Sequence, residues 1–155
     1  MSPRAACRLA ALGFIPVFDY VPGKVDWLAH NLPVEGTAAG APTIGARLRH
    51  DVATTFLAEP VAAVRARVAA SRYEFALVLA ADQATLLGRL RPSVLENADP
   101  DRQAGEVMEP GPSTLRPHEP AQAIAERLAQ RHLGYAIVTD PEGRLLGTVH
   151  PSDLP

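Results

Sequence analysis

A chain of 155 residues with a formal net charge of −2 has room for one ordinary domain or two small ones. The near-neutral balance argues against an electrostatic nucleic-acid binder, and the arginines are spread over helices instead of gathered in a stripe. One cysteine excludes an internal disulfide and fits a reducing cytoplasm, and no apolar run reaches membrane-spanning length.

In chain order, Ser2-Pro3 puts a hydroxyl at the N-cap and proline at the first helical position. A helix is expected over 4–12, with Ala5, Leu9 and Leu12 at helical spacing and Gly13 as a left-handed cap. Cys7, one turn in, is expected as a small buried apolar residue and not as a nucleophile. Residues 14–20 read as a short strand, and 23–28 as a second short helix closed by Asn31-Leu32-Pro33. Gly, Ala and Pro without pattern make 37–43 a linker, so that 1–36 form a first unit.

Residues 44–50 read as a short helix, and 52–55 as a strand. An amphipathic helix over 59–71 presents Val61, Val64 and Val68 on one face. Two apolar runs, 75–79 and 85–90, make a hairpin, and 97–105, rich in Asp, Pro and Gln, is a link. A helix over 119–130 precedes two more apolar runs, 135–139 and 145–149, which flank the turn chemistry of Asp140-Pro141-Glu142-Gly143.

The second hairpin copies the first. Phe75-Ala76-Leu77-Val78-Leu79 answers Tyr135-Ala136-Ile137-Val138-Thr139, and Leu86-Leu87-Gly88 answers Leu145-Leu146-Gly147. Glu59-Pro60 likewise matches Glu119-Pro120. The offset is 60 up to the first strand and 59 after the turn, so one residue was gained or lost in the hairpin loop. A copied unit of this size predicts two like halves, 44–98 and 99–155, packed face to face, because neither buries its apolar side alone.

Met108-Glu109-Pro110, Ser113-Thr114-Leu115-Arg116-Pro117, the helix over 119–130 and the closing strands resemble a CBS (cystathionine β-synthase) domain. The resemblance implies an α+β fold of tandem β-α-β-β-α repeats, a Bateman module, packed pseudo-symmetrically and dimerising. Residues 2–33, with Gly23-Lys24-Val25-Asp26-Trp27, are similar to the last part of a rhodanese domain: helix, strand, helix. That resemblance places the family's sulfur-carrying cysteine before Met1 and implies a catalytically dead remnant.

Nucleotide sites in CBS repeats resemble Gly-h-h-(Ser/Thr)-x-(Ser/Thr)-Asp, where h is apolar, at the end of the last strand. Here the match is Gly147, Thr148, Val149, His150, Pro151, Ser152 and Asp153, with His150 in place of the first hydroxyl. The resemblance gives Asp153 the ribose hydroxyls, Ser152 and His150 the phosphates, and sets the base near Thr114, Tyr135 and Ile137. In the first repeat Val94 replaces the acid and Arg91 the first hydroxyl. A ribose there loses a charge-assisted partner worth roughly 1.5–3 kcal/mol, and Arg91 is left to reach a phosphate across the cleft.

The expected function is regulatory and not enzymatic. A cytoplasmic homodimer would bind AMP, ADP, ATP or S-adenosylmethionine between its repeats and modulate a partner protein. The alternatives are a ligand-free structural dimerisation module and, remotely, a surviving sulfurtransferase at Cys7. No Gly-x-x-x-x-Gly-Lys-(Ser/Thr) loop is present, and scattered histidines with one cysteine give no zinc cluster.

Overall fold

Short apolar runs on either side of each turn produce two hairpins, and each hairpin anchors one small mixed sheet. The computed structural model describes residues 3–30, 32–36 and 40–155. The cap expected at Ser2, the helix stop at Asn31 and linker residues 37–39 lie outside them.

In the first half, β1 (Thr54–Phe56) runs parallel to β2 (Ala76–Leu79), which pairs antiparallel with β3 (Leu86–Leu90). Helix α3 (Val61–Ala69) makes the crossover and α4 (Pro92–Asn97) closes the unit. The second half repeats this with β5 (Thr114–Leu115), α6 (Ala121–Gln130), β6 (Ala136–Thr139) and β7 (Leu145–Val149). Its closing helix is only a 3-10 turn over Pro151–Asp153. Both hairpins shift register at the same place, and Leu79 pairs Leu86 where Thr139 pairs Leu145. The longer first turn holds the extra residue inferred from the changed offset.

Val61, Val64 and Val68 are buried as their spacing requires, against Ala76, Val78 and Leu90. Ile124 and Leu128 do the same against Val138 and Val149. Between the two sheets lie Val52, Phe75, Leu77 and Ile137, with the rings of Phe75 and Tyr135 stacked 3.9 Å apart and 15° from parallel. Arg65 donates to the carbonyls of Leu95 and Ala98 and so satisfies the exposed end of α4.

The segments that lead into the repeats cross over. Residues 44–50 form a 3-10 turn, Ile44–Arg47, instead of the expected longer helix, and then extended chain. Ile44 is buried in the second half's core, and its N–H donates to the Glu119 carbonyl at 3.0 Å. Ala104, at the start of α5 (Ala104–Val107), is buried in the first half's core and donates to the Glu59 carbonyl at 2.8 Å. A Cβ on Gly45 would stand 2.9 Å from the Pro117 carbonyl oxygen, so that crossing requires glycine, while one on Gly105 would press on the Leu57 side chain at 2.9 Å and on its carbonyl oxygen at 3.1 Å. β4 (Glu109–Pro110) then lies on the edge of β3, and Arg49 pairs in the same way with Thr148 on β7.

The N-terminal segment departs most from expectation. α1 (Pro3–Ala11) and α2 (Lys24–Ala29) form, and Gly13 adopts φ +89°, but 14–20 is not a strand. Its apolar residues have no partner strand among the described residues; Ile15 is 89% and Phe18 80% exposed, as is Val21 just beyond, at 88%. Cys7 is exposed instead of buried, because no residue of α1 is buried against the rest of the chain. Only Ala29 of the described residues before 40 is buried. The segment is pinned by α2, where Tyr20 packs edge-on to Trp27 and donates to Asp26 at 2.5 Å. No helix among the described residues is long and apolar enough to cross a membrane.

Candidate functional site

The end of β7 is organised by a residue from far upstream. Arg49 donates from Nε to Asp153 Oδ2 at 2.6 Å and from Nη2 to Oδ1 at 2.7 Å, a bidentate pair, and from Nη2 to Ser152 Oγ at 3.2 Å. The hydrogen bond from Arg49 lowers the Asp153 carboxyl from its ordinary value, against the opposing effect of burial. Arg49 reaches this place because its own N–H and C=O bond to Thr148 at 2.8 and 2.9 Å. Gly147, at φ +150°, permits that approach: a Cβ there would stand 2.5 Å from the Arg49 carbonyl oxygen.

Ser152 and Asp153, both able to cap a helix, do not cap this one. His150 does so instead: its Nδ1 accepts from the Ser152 N–H at 3.2 Å and lies 2.8 Å from Ser152 Oγ. The histidine that replaces the first hydroxyl therefore takes the capping role and leaves Asp153 to the guanidinium.

His150 and Arg49 stand on the wall of a cavity of about 440 Å³, with Arg72, Tyr73, Glu74, Phe75 and Tyr135 among its other lining residues. Tyr73 ties the two halves there, donating to Asp51 at 2.9 Å and meeting Thr148 Oγ1 at 3.1 Å. Its phenol is pushed up by burial and held there by Asp51, while the Thr148 bond works the other way. A second cavity, of about 260 Å³, lies across the Tyr135 ring and is lined by Arg89, Ser113, Leu115, Arg127, Arg131 and Ile137 among others.

The eight residues expected at one site therefore divide. Asp153 and Ser152 meet Arg49, and His150 meets Ser152; of these four, Arg49 and His150 line the larger cavity, and Gly147 lies against the Arg49 carbonyl. Tyr135 borders both cavities, while Ile137 lines the smaller one. Thr114 pairs with Ile137 in the sheet and accepts from Arg116 at 3.0 Å. Each cavity is walled by both halves, so the ring surfaces beside the Asp153 motif come largely from Tyr73 and Phe75 of the first repeat. Arg91 belongs to the other end: it binds Glu109 bidentately at 2.5 and 2.6 Å, and Arg89 adds a bond at 2.8 Å. Arg91 first, then Arg89, hold the Glu109 carboxyl down to about 2.

Arg49, Tyr73 and Phe75 are the site residues that motif matching missed. The repeat offset carried the signal for Arg49, since position 49 is the counterpart of Glu109 and bears the charge that Asp153 needs. Elsewhere, Asp26, His30 and Glu142 bring metal-ligating atoms within 4.8 Å of one another. His30 already spans the two carboxylates, at 3.3 Å to Asp26 and 4.0 Å to Glu142, and fastens α2 to the β6–β7 turn.

The CBS domain family matches residues 104–154. Among solved structures, the CBS domains of a transcriptional regulator from Streptococcus pneumoniae match at TM-score 0.64 and 17% identity, over 72% of this chain and 95% of that one. A CBS domain protein from Pyrobaculum aerophilum complexed with AMP matches at TM-score 0.58 and 18% identity, over 72% and 89%. The cytosolic domain of the Mg2+ channel MgtE in complex with ATP matches at TM-score 0.62 and 23% identity, over 74% of this chain and 49% of that domain. No curated protein matches. Residues 104–154 thus match the CBS domain family, and the duplicated sheets and crossed lead-ins give the chain the fold of a CBS domain pair, the arrangement called a Bateman module. The comparisons lend no support to a rhodanese remnant before it.

Proposed function

We propose that this CBS pair is a regulatory sensor that binds an adenosine nucleotide in the larger inter-repeat cavity and passes its state to a partner protein. The observation that carries the reading is the convergence of Asp153 and Ser152 on Arg49, which with His150 lines that cavity beside the rings of Tyr73, Phe75 and Tyr135. A carboxylate suits a ribose diol, hydroxyl and guanidinium suit phosphate, and aromatic faces suit a base. Relatives of this fold have been crystallised with AMP and with ATP, which supports the same ligand class. Ligand binding would act by favouring one relative orientation of the repeats over another. The protein is proposed to work in the cytoplasm, as a homodimer, without chemistry of its own.

The test is thermal shift with AMP, ADP, ATP and S-adenosylmethionine. Stabilisation by at least one of them that disappears in Asp153→Ala is expected; a flat response across all four overturns the reading. A ligand-free dimerisation module is the second reading, favoured by the fact that both Asp153 oxygens are engaged within the chain. It expects dimers whose stability ignores every nucleotide.

A further inference from the structure

We infer that Arg49 is the specificity-determining residue of the larger cavity and makes it select nucleoside phosphates over nucleosides and sulfonium nucleosides. The inference rests on the ribose reading of Asp153 given above. Both carboxylate oxygens of Asp153 accept from Arg49, at 2.6 and 2.7 Å, and Ser152 Oγ accepts from the same guanidinium. A ribose diol must therefore compete for lone pairs that a charge-assisted bidentate pair already uses.

A neutral nucleoside that wins this competition leaves the guanidinium facing no anion. A phosphate on the same ligand supplies one, with two oxygens spaced to accept from the planar guanidinium fork. The exchange needs only side-chain rotation, because two backbone hydrogen bonds to Thr148 fix Arg49 and Gly147 sets its distance. Nor do the neighbours substitute for it: Arg72 is paired with Asp51 at 2.9 Å, and Glu74 brings a negative charge to the same wall. Arg49 is thus the cation that binding sets free. The sulfonium of S-adenosylmethionine would meet it with like charge.

The first repeat offers no such exchange. Its counterpart of Arg49 is the anionic Glu109, and its counterpart of Asp153 is Val94. Selection by an exchanged arginine is therefore assigned to the larger cavity alone.

Isothermal titration of the full chain with AMP, adenosine and S-adenosylmethionine tests this. Wild type is expected to bind AMP at least about tenfold tighter than adenosine, the scale of one charge-assisted hydrogen bond. In Arg49→Ala the AMP affinity should fall and the adenosine affinity rise, so that the ratio approaches unity. Arg49→Lys should keep part of the preference, and Arg49→Gln, close in size, covers a poorly folded alanine variant. An unchanged ratio in both neutral variants, with AMP binding still lost in Asp153→Ala, overturns the role of Arg49 and leaves the ribose reading standing. Absence of binding by all three ligands to wild type and variants overturns both.

Discussion

Arg49 and Glu109 occupy the same position in the two repeats and carry opposite charges. Each lies on the edge of the closing strand, opposite Thr148 and Arg89 respectively, and each grips the strand-end groups of that sheet. The duplication has kept the geometry and inverted its sign. One end presents a carboxylate restrained by an arginine, the other two arginines restrained by a carboxylate.

Glu109 should titrate well below its ordinary value. With its pKa lowered from 4.5 to about 2, its ion pairs favour the folded state above the unfolded value and lose that contribution as pH falls through about 2. Carboxyl carbon shifts followed by NMR should show this, and Arg91→Ala should return the midpoint toward the ordinary range. A midpoint near 4.5 in wild type would contradict the pairing.

Gly147→Ala should destabilise the protein by about 1–3 kcal/mol, since it adds a strained φ to a clash with backbone that cannot swing aside. Gly134→Ala is the control: no atom lies within 4 Å of its added Cβ, and its φ is not left-handed. Urea midpoints of the two variants should differ clearly. Equal midpoints would mean that Arg49 does not lie against β7.

Truncating Leu77, fully buried between the sheets, should cost about 2–5 kcal/mol. Phe18→Ser, at a position 80% exposed, should change stability by no more than about 0.5 kcal/mol. Denaturant unfolding of both variants compares an inter-sheet contact with the N-terminal surface. A large loss from Phe18→Ser would place that ring in an interface.

Docking of α2 should weaken as pH rises. A hydrogen bond with the Asp26 backbone carbonyl raises His30 above 6.5, desolvation opposes it, and the charges of Asp26, Glu142 and Asp140 add to the rise. The contribution is therefore fully present below 6.5 and is lost as pH climbs through the raised value. Emission of Trp27, which lies on α2, should report the change, and His30→Gln should flatten it. A pH-independent signal in wild type would remove His30 as the fastening.

The sequence made the duplication, the buried valines of α3 and the notch at the end of β7 legible, because these depend on local spacing. Phe14–Tyr20 misled because an apolar run of strand length says nothing about whether a partner strand exists. Of the residues expected around the base, Tyr135 borders both cavities, while Ile137 lines the smaller one. The other rings of the larger cavity, Tyr73 and Phe75, come from the first copy. Arg49 sits in a lead-in with no periodic pattern, and only its tertiary crossing brings it to the site.

That crossing has a consequence for how the molecule can come apart. Ile44 completes the core that Ile124 and Leu128 begin, while Ala104 completes that of Val61 and Val64. Each copy therefore holds a plug for the other, and neither can be melted, excised or transplanted without opening its sibling. Calorimetry should record one transition for the repeats, and half a gene should yield a chain with an uncorked interior.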